Sequence, residues 1–175
     1  MLLEFKCSNH RSIKEEVKFS MIAGSDNTSE ELLKGFGNFR VLRSAVIYGA
    51  NGSGKSNFIS ALSFMRDLVS NSINHQPGQG VFQARHKLSA EETPSEYSIQ
   101  FVRNDIRYAY GFSVKQNLIQ DGYLYYFPKG RQVKIFERNG LEIKPGDRYK
   151  GVFDVSISIL KIIGYFYFVP LFIVI

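Results

Sequence analysis

An α/β fold built on a mixed sheet is predicted by three features of the sequence. Apolar and polar residues alternate at the start of the chain and again through its second half, a continuous apolar run stands at residues 45–48, and one apolar stripe at helical spacing follows residue 56. Alternation marks strands with one covered face. A short continuous run marks a strand covered on both. The stripe marks a helix that lies on the sheet.

Leu3, Phe5 and Cys7 alternate with Leu2, Glu4 and Lys6, and Val17, Phe19 and Met21 repeat the period, so two half-buried strands are expected, joined by a polar turn over residues 8–15. Residues 24–40 hold Gly, Ser, Asp and Asn around Glu30-Glu31-Leu32-Leu33, which predicts a loop or a single helical turn inserted between strands. Ala45-Val46-Ile47-Tyr48 then predicts a buried strand of a parallel or mixed sheet. Phe58, Ile59, Leu62, Met65, Leu68 and Val69 predict a helix that ends near Ser70-Asn71. Residues 71–94, rich in Gly, Gln, Asn, Ser and Pro and without periodicity, predict a mobile loop or lid. Beyond it Tyr97, Ile99 and Phe101, then Tyr108, Tyr110, Phe112 and Val114, then Tyr123, Tyr125 and Phe127 predict an antiparallel subdomain over about residues 96–143. Its turns are expected at Arg103-Asn104-Asp105, around Gln120-Asp121-Gly122 and at Asn139-Gly140.

With 175 residues, 44% of them hydrophobic and 22% charged, the chain has the balance of one globular domain and excludes a disordered chain. A net charge of +6 suits an anionic partner such as a nucleotide or nucleic acid, although ordinary surfaces carry such an excess too. The single cysteine, Cys7, excludes an intramolecular disulfide, and charge at Glu4 and Lys6 interrupts any signal-peptide run, so a cytoplasmic protein is expected. Residues 162–175 are uncharged but contain Gly164 and Pro170 and number 14, against about 20 for a spanning helix, so no membrane span is expected. This apolar tail, 159–175, is read as a truncated or frameshifted end, against a buried strand or membrane-facing segment, and would be an aggregation hazard if exposed.

The motif that carries chemistry is Gly49-Ala50-Asn51-Gly52-Ser53-Gly54-Lys55-Ser56. Such a phosphate-binding P-loop needs glycines where backbone N–H groups close around phosphate oxygens, because a Cβ would block the approach or the torsions. A lysine in the place of Lys55 reaches the β- and γ-phosphates, and a hydroxyl in the place of Ser56 ligates Mg²⁺ at a helix N-terminus whose dipole favours negative charge. A chance match is the competing reading. The strand expected before the loop and the helix expected after it decide for nucleotide binding.

Extended by Asn57, the motif resembles the Walker A loop of ABC-type ATPases of the SMC, RecF and DNA-repair group, where GxNGSGKSN is usual. Leu3-Glu4-Phe5-Lys6-Cys7-Ser8-Asn9-His10-Arg11-Ser12 is similar to that group's opening strand and its Asn-Phe-Arg-Ser turn, with His10 where Phe is common. The insertion before Leu42 and the aromatic strands at Tyr108-Ala109-Tyr110-Gly111-Phe112 and Tyr123-Leu124-Tyr125-Tyr126 look most like AAA-family ATPases of bacterial anti-phage and abortive-infection (OLD-like) systems. The resemblance covers residues 1–158 and implies the N-terminal part of an ABC-type ATPase domain, a P-loop NTPase that takes ATP and Mg²⁺ as cofactors. It implies a homodimer in the full-length protein and an effector nuclease or toxin as partner, and nucleic acid stays open as a further partner.

Gly49, Ala50, Asn51, Gly52, Ser53, Gly54, Lys55, Ser56 and Asn57 are therefore the expected cofactor-binding residues, with Ser56 on the metal and Arg11 of the resembling turn as a contact to phosphate. A surface arginine is the competing reading of Arg11. The family's signature loop, Asp-Glu Walker B strand and switch histidine have no counterpart after Lys55, and Val152-Phe153-Asp154 lacks the second acid, so no catalytic residue is assigned. Gln76, Gln79 and Gln83 lie near the group's Mg²⁺-contacting glutamine, and spacing does not choose among them. His10, His75 and His86 lack metal-ligand spacing. Basic residues Lys129, Arg131, Lys134, Arg138, Lys144, Arg148 and Lys150 face only Glu137, Glu142 and Asp147, which suits a nucleic-acid surface or, as preferred here, a solvated hairpin face. Two alternatives to a defence ATPase stand: a non-hydrolysing fragment that binds nucleotide or a partner, and a DNA-repair ATPase, which should show heptads that this sequence lacks.

Overall fold

The alternating residues pair as their period requires. In the computed structural model, which describes residues 1–25, 33–36, 39–71 and 80–150 (for 33–36 and 39 the backbone only), β1 (Leu2–Ser8) runs antiparallel between β2 (Val17–Ser20) and β5 (Ser95–Arg103). β6 (Ile106–Lys115), β7 (Leu118–Phe127), β8 (Val133–Asn139) and β9 (Glu142–Pro145) follow as a meander, which gives a seven-stranded sheet in the order β2-β1-β5-β6-β7-β8-β9. The register places Phe19, Phe5, Ile99, Tyr110, Leu124 and Phe136 directly opposite one another in successive strands, so they share one face.

Across that face lies the single described α-helix, α1 (Lys55–Asn71), which buries Phe58, Ala61, Met65 and Leu68. Its rings interlock with the sheet. Phe58 meets Phe5 edge-on at 5.4 Å, and Phe64 sits 5.0 Å from Tyr97. Each buried apolar side chain of this size contributes about 1.5–3 kcal/mol, so the helix is held by its stripe more than by its propensity. Within the predicted stripe Ile59 is half exposed, while Ala61, which the sequence reading passed over, is fully buried. A second, smaller core joins Leu3, Val41 and Val102.

Several expectations are corrected. Residues 24–40 were expected as a loop or helical turn, yet β3 (Leu33–Phe36) and β4 (Phe39–Leu42) form an antiparallel hairpin, and Glu30, Glu31 and Leu32 lie outside the described residues. This hairpin joins the rest through Leu42 N donating to Met21 O and Ala23 N to Arg40 O, both 2.8 Å. The turn expected around Gln120-Asp121-Gly122 is the interior of β7, and the chain reverses instead at Gln116 and Asn117, whose φ of 50° and 61° suit a tight hairpin. The glycine misled the reading: Gly122 marks packing, with Arg138 and Phe112 near it, rather than a reversal. At Asn104 and Asp105 (φ 48° and 55°) and at Gly140 (φ 57°) the hairpins fall where expected.

The largest correction concerns residues 45–48. They were expected as a strand buried on both faces, but they have no regular secondary structure, are unpaired among the described residues and are exposed, Val46 by 84% and Tyr48 by 90%. Every described strand pair is antiparallel. A continuous apolar run states that a segment prefers cover, but not which neighbours supply it, and the hairpin meander completes itself without this run. The N-terminal strands and the 96–143 region, read as sheet and subdomain, are one sheet through the β1–β5 pair. The apolar tail 159–175 lies outside the described residues.

Candidate functional site

The glycine-bearing loop ends the exposed stretch and opens α1. Gly52 and Gly54 have φ of 80° and 94°, a region that residues with a Cβ avoid, so these two positions require glycine. Phe58 N donates to Gly54 O at 2.9 Å, the first helical bond, which leaves the amides of Lys55, Ser56 and Asn57 without an intrahelical acceptor. No acidic residue stands in the first turn, so nothing on the helix itself offsets the positive end of its dipole.

Lys55 folds back over the loop. Its Nζ donates to Gly49 O and Ala50 O, both at 2.8 Å, and Ser53 N closes the loop onto Ala50 O at 3.2 Å. A Cβ on Gly49 would stand 3.0 Å from Ser53 Oγ, and one on Gly54 would stand 3.3 Å from Ser12 Oγ. A side chain at either position would press on a serine hydroxyl, and at Gly54 the left-handed φ adds to that cost. Asn51, Ser53 and Ser56 are exposed, and among the described residues the Ser56 hydroxyl has no hydrogen-bond partner. A loop with two left-handed glycines, a lysine bonded to its carbonyls and an exposed hydroxyl thus meet at the accessible end of the helix, and these are the groups that could hold a phosphate and its Mg²⁺.

The turn after β1 comes to this site. Asn9, buried to 1% exposure, donates from Nδ2 to Thr93 O and Pro94 O at 2.8 and 3.1 Å and accepts from His86 N at 3.0 Å. Ser95 Oγ donates to Asn9 O at 2.6 Å. His10 is equally buried, between Tyr97 OH at 2.8 Å and Ser60 Oγ of α1 at 3.4 Å, and burial, helped by the nearby Arg11 charge, lowers its pKa to about 4. Arg11 is exposed at φ 52°, with its amide bonded to Ala84 O at 2.6 Å. Ser12 Oγ accepts from Asn57 Nδ2 at 2.6 Å. Ser12, which the sequence did not single out, is thus brought to the first turn of α1; the only signal for it was its place in the resembling turn. Asn57, expected on the nucleotide, uses one amide N–H on this turn.

Residues 80–94, expected as part of a mobile loop or lid, are pinned, and Gly, Gln and Pro content misled because side chains from elsewhere supply their bonds. Val81 is buried, with its amide on Asn117 O at 2.8 Å. Gln83 donates to Thr93 O and Ser95 Oγ at 3.3 and 3.1 Å and accepts from Gln116 N at 2.9 Å, so its amide is committed to the fold. Gln76 and Gln79 lie outside the described residues.

Elsewhere the chemistry is quiet. Cys7 faces the core, where burial and Glu16 push its thiol up to about 11, far from a nucleophile at neutral pH. A cleft of about 290 Å³ along β1, β5, β6 and β7 is lined by Lys6, Glu16 and Asp121 among others; Lys6 pairs with Glu16 at 3.3 Å and Ser113 donates to Asp121 at 3.2 Å. In the basic stretch Lys134, Lys144 and Lys150 pair with Glu137, Glu142 and Asp147 at 3.1, 3.4 and 2.8 Å. No helix among the described residues is long and apolar enough to cross a membrane.

An antiparallel sheet with one helix packed across it, the helix opening from a glycine loop, is consistent at a coarse level with an AAA-type P-loop domain. The family model for the AAA domain, putative AbiEii toxin, Type IV TA system, matches residues 44–149, more than half of the chain, and the chain belongs to that family of AAA ATPase domains. No curated protein matches the chain. Members of the AAA class are nucleotide-binding ATPases, and nucleotide binding enters here at that level.

Proposed function

We propose that residues Gly49, Ala50, Asn51, Gly52, Ser53, Gly54, Lys55 and Ser56 bind the phosphates of Mg-ATP, in an ATPase of a bacterial anti-phage system. The observation that supports this most is the pair of left-handed glycines, Gly52 and Gly54, at the N-terminus of α1. In this reading Lys55 exchanges its bonds to Gly49 O and Ala50 O for phosphate oxygens, Ser56 ligates the metal, and Arg11 adds a cation from the neighbouring turn. Bound Mg²⁺ would neutralise phosphate charge; the chain's own part is to hold the phosphates and keep the helix end pointed at them.

The family description, which names a toxin and a toxin–antitoxin system, favours the defence reading over a DNA-repair ATPase. An OLD-like or SMC/RecF-like assignment, a homodimer and an effector nuclease or toxin belong to the same proposal, with a cytoplasmic setting. Hydrolysis is assigned to no residue of this chain.

The test is calorimetric titration of the purified chain with Mg-ATP beside Lys55→Ala. Loss of a charge-assisted contact should weaken binding by about 2–3 kcal/mol. Equal affinities would remove the loop from the site.

A further inference from the structure

We propose that Ser12 and Asn57 are positioning residues, a clamp that holds the Asn9-His10-Arg11-Ser12 turn against the first turn of α1 so that Arg11 is directed at the nucleotide phosphates. The inference rests on the phosphate-binding reading of the loop. It gives Asn57 a task other than touching the ligand, and it gives Ser12 a task where the sequence offered none.

The first observation is the bond itself. Asn57 Nδ2 donates to Ser12 Oγ at 2.6 Å, across 45 residues of chain. Asn57 stands two residues after Lys55, so the bond ties the turn to the very end of the helix that carries the lysine. The second is how closely the turn seats: Ser12 Oγ lies 3.3 Å from where a Cβ on Gly54 would be, so the serine hydroxyl packs against the last residue of the loop. Consecutive Cα atoms are about 3.8 Å apart, which puts the Arg11 backbone next to that contact.

The third observation is the state of Arg11. Its φ of 52° is uncommon for a residue with a Cβ, and its guanidinium has no hydrogen-bond or ion-pair partner among the described residues. A tight turn explains the torsion, but it does not require a bond to α1. The torsion is held from several sides: Arg11 N on Ala84 O, the buried Asn9 on residues 86, 93 and 94, and His10 on Ser60 and Tyr97. Backbone held in a sparsely populated region by such surroundings concentrates at functional sites. Here it holds the Arg11 backbone one residue from the contact with the positive end of α1, where an anion bound at the helix end would be within the reach of a long cationic side chain.

The clamp predicts coupling between Asn57 and Arg11. Mg-ATP binding is measured by calorimetry for the parent chain and for Asn57→Ala, Ser12→Ala, Arg11→Ala, Lys55→Ala and the double variant Arg11→Ala with Asn57→Ala. Asn57→Ala and Ser12→Ala should each weaken binding about fivefold to tenfold, the usual worth of one hydrogen bond. In the Arg11→Ala background, Asn57→Ala should add less than about twofold, because a positioning residue has nothing left to position. The bond is exposed, so thermal midpoints should stay near that of the parent chain. Parent-like binding by Asn57→Ala and Ser12→Ala, or an Asn57→Ala loss as large without Arg11 as with it, overturns the clamp while the phosphate reading stands. Equal binding by the parent chain and Lys55→Ala overturns both.

Discussion

The sheet and the stretch from residue 43 to residue 53 are opposites. Phe5 and Val114 in the sheet are fully buried, whereas residues 43–53 are exposed throughout, Val46 and Tyr48 almost wholly so. Both regions are rich in apolar residues. The difference is where their partners come from. Each strand from β5 to β9 finds its neighbour through a short hairpin, at low loop-closure cost, while residues 45–48 have no hairpin partner adjacent in sequence. Exposure there leaves the glycine loop accessible at the end of α1, beside the turn after β1 that is bonded to Asn57.

Substitutions should separate the two regions sharply. The largest effect is expected at Phe5, which packs on Phe58 and Ile99 with no exposure: Phe5→Ala should cost about 3–5 kcal/mol, read as a lower urea midpoint at unchanged slope. Parent-like stability would mean that α1 does not depend on this face of the sheet.

An intermediate effect is expected from pH at His10, the residue that joins sheet and helix. It is faced by Tyr97 OH, whose ionisation burial pushes up, by Ser60 and by the Arg11 charge, and its pKa is lowered from 6.5 to about 4. Between pH 6.5 and 4 the unfolded chain takes up a proton at this position and the folded chain does not, so stability falls as pH falls through that window. The loss is on the order of 3 kcal/mol by about pH 4, and His10→Phe should flatten that part of the profile. Identical slopes for parent and variant in denaturation at stepped pH would show that the histidine is not held neutral.

The smallest effect is expected at Tyr48. At 90% exposure, Tyr48→Ser should shift stability by less than about 0.5 kcal/mol. A loss comparable to that of Phe5→Ala would show that residues 45–48 are covered in solution.

Local physics made much of this legible. Period-two alternation located β1, β5, β6 and much of β7, because a half-buried strand must alternate. Gly52, Gly54, Lys55 and Ser56 stood out in the sequence because a phosphate cradle would admit few residues at those positions. Turn residues were less decisive: Gly122 suggested a reversal that Gln116 and Asn117 make, since a glycine marks close approach as readily as a turn. The hairpin β3–β4 was missed for the same reason, its polar flanks hiding a short pair.

By itself the sequence determined the chain's class, the loop, the helix and its apolar stripe, since each depends on neighbours within a few residues. The tertiary structure decided the rest. It made β1 and β5 partners, pinned residues 80–94 beneath the turn, left residues 45–48 uncovered and brought Ser12 to Asn57. Those outcomes depend on which hydrogen-bonding groups meet across long stretches of chain, and no local period records that.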